Sequence, residues 1–128
     1  MTTFVDIMIL LARIQFKVKD ESTYYKALEY LHKAEDLCVI MKYNAGYSWI
    51  SGSYYSMGTA MIKVDMYSKA IYPIRKSCTL LEKSIECDNS DESKLELSTR
   101  YEILGTCCFK NKDYEDAGKA YRLGLRQI

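Results

Sequence analysis

The chain has 128 residues, 48% apolar and 27% charged, with 18 Lys and Arg against 17 Asp and Glu and a formal charge of +1. This composition excludes a disordered polar tail and fits one folded domain over 1–128. Balanced charge argues against a nucleic-acid module, which needs concentrated Lys and Arg; one Pro and one His argue against a Pro-rich stalk, a His-rich metal site or His-based hydrolysis.

Helix 1 is expected over about Thr3–Val18. Its apolar run, Ile7 to Ala12, lacks a positive flank and is too short to span a bilayer. No other segment reaches 18 apolar residues, so no membrane partner is expected. Asp20–Ser22 reads as a turn into helix 2, about Thr23–Met41. Asn44–Gly46 is a break before helix 3, about Tyr47–Val64, and Trp49 near its start is expected to be buried between helices 2 and 3. Asp65 is a favoured N-cap type and is expected to start helix 4, Met66 to about Glu86. Pro73 inside that helix removes a hydrogen bond to the Lys69 carbonyl and should kink it. Cys87–Glu92 is a polar loop. Asp91 or Ser93 starts helix 5, which ends near Lys110; Asn111–Asp113 is a turn, and helix 6 reaches about Leu125. Connections this short place neighbouring helices antiparallel.

The five cysteines are Cys38, Cys78, Cys87, Cys107 and Cys108. An odd number, with no CxxC pair and no signal peptide, reads as free thiols in a reducing compartment, the cytoplasm or nucleus. No ligand spacing calls for a metal, and no cofactor is expected.

Three segments share one register. The first carries Leu11, Ile14, Gln15, Val18, Tyr24, Ala27, Leu31 and Ala34. The second carries Tyr54, Met57, Gly58, Met61, Tyr67, Ala70, Ile74 and Ser77. The third carries Tyr101, Leu104, Gly105, Cys108, Tyr114, Ala117, Tyr121 and Gly124. Gln15 to Ala27, Gly58 to Ala70 and Gly105 to Ala117 are each twelve residues apart, while the segments start 43 and then 47 residues apart. The shared part is a helix–turn–helix, with the extra length after it. Gly in a helix interior costs about 1 kcal/mol against Ala. Gly58 and Gly105 are therefore expected to let the facing helix approach, small residue against small Ala, with Leu31, Ile74 and Tyr121 filling the next layer.

That order of residues resembles the tetratricopeptide repeat. The resemblance covers nearly the whole chain, with Gln15 in place of the glycine in the first copy and a period longer than the usual 34 residues. It implies an all-α, right-handed α-α superhelix (a solenoid) of three hairpins, at about 3–41, 47–86 and 93–127, standing alone or as a fragment of a longer array. The long period also resembles the helical region of separase, a cysteine protease whose array engages an inhibitor. By that resemblance this chain would be a regulatory fragment without the protease part.

In such a stack the first helix of each pair lines the concave face. By family correspondence the groove residues are Phe16 and Lys19, then Tyr55, Thr59, Ile62 and Lys63, then Glu102, Thr106, Phe109 and Lys110. Aromatic anchors flanked by polar groups suit protein recognition, although Phe16, Ile62 and Phe109 also read as core between repeats. The family's carboxylate clamp falls on Ala12, Phe16, Ser56, Thr99 and Ile103, which lack its Lys and Asn, so chaperone-tail binding is not expected.

The leading expectation is a protein-interaction scaffold that binds a peptide or protein segment. No enzyme is expected: Asp6, Glu29 and Glu102 have no evident paired group, and His32 with Asp36 one turn on reads as a surface pair. Lys17 with Lys19 and Arg75 with Lys76 form no basic stripe, and Glu86, Asp88, Asp91 and Glu92 oppose one. Apolar Ile7–Leu11 and Tyr121–Ile128 at the ends allow a homo-oligomer through the end helices.

Overall fold

The computed structural model describes residues 2–17, 21–41, 45–87 and 90–127. Six helices follow in order: α1 (Thr2–Lys17), α2 (Glu21–Met41), α3 (Ala45–Lys63), α4 (Tyr67–Cys87), α5 (Asp91–Lys110) and α6 (Tyr114–Leu125). There is no strand among the described residues. Among the described residues no helix is long and apolar enough to cross a membrane.

Consecutive helices pair most closely: α1 with α2, α3 with α4, and α5 with α6. The second and third hairpins repeat the same contacts. A Cβ built on Gly58 falls well inside contact distance of the Ile74 side chain and 3.4 Å from its backbone nitrogen. One built on Gly105 meets the Tyr121 ring at 2.6–2.9 Å. Earlier on the first helix, Ser51 donates its hydroxyl to the Ser77 carbonyl at 2.9 Å. At the matching place a Cβ on Gly124 would lie 3.2 Å from the Ser98 carbonyl oxygen. Moving back along α3 or α5 moves forward along α4 or α6, so the pairs are antiparallel. The glycines therefore do admit a close neighbour, but it is the large residue, Ile74 or Tyr121. The expectation that Ile74 and Tyr121 fill the next layer is corrected: they stand directly against the glycines, with Ala70 and Ala117 also buried, and the glycine makes the hole that a branched or aromatic side chain fills.

The two described inner turns are also copies. Asp65 and Lys112 each hold a left-handed backbone, φ 59° and 66°. The N–H of Met66 reaches the Met61 carbonyl at 2.9 Å and that of Asp65 reaches Ile62 at 3.0 Å; Asp113 to Cys108 at 2.8 Å and Lys112 to Phe109 at 3.0 Å repeat the pattern. This is a Schellman stop, which satisfies the last carbonyls of the preceding helix. Asp65 thus ends α3 rather than capping α4, and its carboxylate instead accepts from the Tyr67 hydroxyl at 3.3 Å. The next turn is conventional: Ser90 caps α5 by accepting from the Ser93 N–H at 3.2 Å.

The extra four residues of the second period lie in helix. α4 runs 20 residues past Tyr67, whereas α2 runs 17 past Tyr24; α5 starts 10 residues before Tyr101, whereas α3 starts 9 before Tyr54. Pro73 sits buried inside α4, which continues through it as helix.

Two apolar clusters share α4. One joins Ile9, Leu31, Cys38, Ile50, Tyr54 and Leu80; the other joins Ile74, Leu81, Leu97, Tyr101, Leu104 and Cys108. Adjacent Leu80 and Leu81 face different clusters, so α4 is buried on two sides. Alternate helices run parallel. Tyr24 donates to the Lys69 carbonyl at 2.9 Å, His32 meets Tyr72, and Glu35 meets Lys76, in ascending order along both α2 and α4. Each junction between hairpins carries a tyrosine–carboxylate bond over 19 residues, Tyr54 to Glu35 at 3.3 Å and Tyr101 to Glu82.

Candidate functional site

A helix shows residues i, i+4 and i+7 on one stripe. Tyr55, Thr59 and Ile62 on α3 and Glu102, Thr106 and Phe109 on α5 are two such stripes, 47 residues apart, each followed by a lysine, Lys63 or Lys110. Tyr55, Thr59 and Ile62 are half-buried; Lys63, Glu102, Thr106, Phe109 and Lys110 are exposed. Lys19 and the side chain of Phe16 lie outside the described residues.

Phe109 is 54% exposed and packs edge-on to Tyr114, with ring centres 5.4 Å apart. It is therefore not core between repeats. The Thr106 hydroxyl shares a hydrogen bond with the Tyr121 hydroxyl at 3.1 Å. The two stripes meet through Arg100, whose guanidinium carbon stands 4.7 Å from the centre of the Tyr55 ring. Arg100 is buried and ties three helices. It donates to the Ser51 hydroxyl, to the Ser77 carbonyl at 3.4 Å and to Glu96 at 2.7 Å, while its Nε has no partner. A planar cation on an aromatic face holds Tyr55 in place. The expected contact residues thus form a rigid half on α3 and an open half on α5.

A second concavity, of about 330 Å³, lies between α2 and α4. Tyr24, Tyr25, Leu28, His32, Lys69 and Tyr72 line it. The His32 and Tyr72 rings stack at 5.9 Å, with Nε2 and the hydroxyl 2.8 Å apart. His32 is thus engaged by Tyr72 on another helix rather than by Asp36. Beneath, Lys76 pairs with Glu35 at 2.6 Å. Burial, then the neighbouring Tyr25 and Tyr72, pushes the Tyr24 hydroxyl up to about 12. Sequence reasoning missed this cleft, because its walls come from helices whose offset only the stack defines.

The described thiols are free and buried. Burial is the first cause in raising Cys78 to about 12 and Cys107 to about 11, opposite to the direction that activates a nucleophile. Among the described residues no three His, Cys, Asp or Glu side chains gather as a metal site would require. Trp49, expected to be buried, is 54% exposed. No protein-family model and no curated protein matches the sequence.

Proposed function

We propose that the chain is a tetratricopeptide-like scaffold whose α3 and α5 stripes bind a peptide or a segment of another protein. On this reading the three hairpins wind as a right-handed superhelix, the stripes line its concave side, and the protein works inside the cell without a cofactor or a reaction of its own. The observation that carries the proposal is the matched pair of stripes. Ile62 and Phe109, with Lys63 and Lys110 after them, recur at one register on helices whose other faces are committed to the two cores. A repeated, partly exposed row of apolar and cationic side chains suits an extended segment carrying apolar and acidic residues in alternation.

The test is selection of peptides from a displayed library on the whole chain. Selected peptides should lose most of their binding to Phe109→Ala and Ile62→Ala, while both variants keep the wild-type helical signal. Peptides that bind the two variants as well as the parent would overturn the proposal.

A further inference from the structure

The two stripes differ at one position, and the difference is a charge. Tyr55, Thr59, Ile62 and Lys63 on α3 match Glu102, Thr106, Phe109 and Lys110 on α5, each pair 47 residues apart. Three of the pairs keep their chemistry: a hydroxyl, a large apolar group and a cation. The fourth sets a carboxylate, Glu102, where α3 carries the Tyr55 ring. Alternate helices run parallel, so Lys63 and Lys110 stand at the same end of the face, where α3 and α5 meet their inner turns. Glu102 stands about two helical turns back from them.

No helical neighbour neutralises these charges. On a helix a side chain pairs with residues three and four away. For Glu102 these are Ser98, Thr99, Gly105 and Thr106; on the helical side of Lys63 and Lys110 they are Thr59, Ala60, Thr106 and Cys107. None is charged. Elsewhere the chain does use that pairing: Glu29 holds Lys33 at 3.4 Å, Glu96 holds Arg100 at 2.7 Å and Glu115 holds Lys119 at 3.8 Å. Arg100, two residues from Glu102, is buried on the opposite side of α5 and bonded to Ser51 and Glu96. Glu102, Lys63 and Lys110 are exposed, and among the described residues none of them has an ion-pair partner.

We infer that Glu102 is the specificity-determining residue of the binding face: it receives a Lys or Arg of the bound segment, while Lys63 and Lys110 receive its Asp or Glu residues. The inference rests on the scaffold reading and adds to it the order of charges. Glu102 and Lys110 are eight residues apart, about 12 Å along α5. An extended segment laid along the helix covers that distance in about four residues. The segment that fits carries a basic residue, an acidic residue about four positions away, and an apolar residue beside the acidic one for Phe109. Charges arranged this way choose between the two orientations of a segment more than they add affinity.

The experiment is selection from a displayed peptide library on the whole chain, followed by anisotropy titrations of the selected peptides. They are titrated against the parent, Glu102→Lys and Glu86→Lys, the last making the same change in net charge on α4. Both positions are exposed, so neither substitution touches a core. Parent-selected peptides should carry the basic and acidic residues in that spacing. They should bind Glu102→Lys about fivefold more weakly and Glu86→Lys as they bind the parent. Changing the peptide's basic residue to Glu should restore binding to Glu102→Lys. Peptides that bind Glu102→Lys as tightly as the parent, an equal loss in Glu86→Lys, or no recovery with the altered peptide would each overturn the inference. Loss of binding in Phe109→Ala with indifference to Glu102→Lys removes the role of Glu102 and leaves the scaffold; a library that yields no binder removes both.

Discussion

Two glycines in α3 make opposite predictions for the same substitution. Gly52→Ala adds a Cβ with no atom within 4 Å. It should stabilise the protein by up to about 1 kcal/mol, the difference in helix propensity. Gly58→Ala gains the same propensity, but its Cβ overlaps two carbons of Ile74. Ile74 is fully buried, and its β-branch restricts the first side-chain torsion, so it has nowhere to turn. Inserting a methyl into such packing costs about 1–3 kcal/mol. Propensity cancels between the two variants, so the gap between them, Gly52→Ala above Gly58→Ala by about 1–3 kcal/mol, isolates the overlap. Urea unfolding followed by circular dichroism measures it. A gap below about 0.5 kcal/mol, the scatter of ordinary surface changes, would refute the claim that Gly58 is there to seat Ile74. Adding Ile74→Ala to Gly58→Ala should make the two effects non-additive, since the first removes what the second strikes. Gly105→Ala should fall between, because the Tyr121 ring is partly exposed and can swing outward once its bond to Thr106 is broken.

Lys112→Gly should raise stability by about 1 kcal/mol in the same unfolding assay, because a left-handed backbone costs an L-residue that much and the side chain is exposed. Arg100→Ala should cost about 2–5 kcal/mol through the cavity it leaves, whereas Arg100→Met, which refills that space and removes the unpartnered Nε, should cost distinctly less; equal losses would refute a packing role. The Cys107 thiol, ordinarily near 9.0, is raised to about 11 in the fold. The unfolded chain therefore releases that proton first, so the thiol's contribution is complete below pH 9 and is lost as pH rises toward 11. Cys107→Ala should flatten the fall in unfolding free energy across that window.

The hairpins were legible because their signals are local. A glycine, an alanine twelve residues on and a tyrosine three before it constrain one turn and the two helices beside it. The α3 and α5 positions came instead from the family resemblance; spacing by itself shows only that Tyr55, Thr59 and Ile62 share one side of a helix. The misreadings share a different cause. Trp49 was placed in the core because its size favours burial, but only the rotation of α3 against α2 decides that, and periodicity does not contain it. Asp65 looked like a cap because aspartate suits both a helix start and a left-handed helix stop; the hydrogen bonds of Met61 and Ile62 choose between them. Gly58 was paired with Ala70 by size, whereas antiparallel packing set it against Ile74. The His32 and Tyr72 contact spans 40 residues across parallel helices, and no local pattern encodes it.

The unequal period has a structural meaning that the tyrosine–carboxylate bonds make visible. Counted from the tyrosine, the acceptor is 19 residues back at both junctions. Counted from the hairpin's own small residue, it is not: Glu35 directly follows Ala34, whereas Glu82 stands five residues beyond Ser77. Four residues are about 6 Å along a helix and little more than one turn, so the carboxylate stays on nearly the same face. The third hairpin therefore grips α4 about one turn farther from the inner turn than the second grips α2. Arg100 belongs to that shift. It reaches across to Ser51 and Ser77, while its shorter counterpart Ser53 donates to the Trp49 carbonyl on its own helix and accepts from Arg13 of α1 at 3.5 Å. The longer helix and the bridging arginine go together, with Tyr55 beneath Arg100 while Phe109 stays exposed beside Tyr114. A difference between the α3 and α5 halves of the proposed binding face is thus built into the junction, and on the proposed function a bound segment would have two unlike ends and bind in one direction.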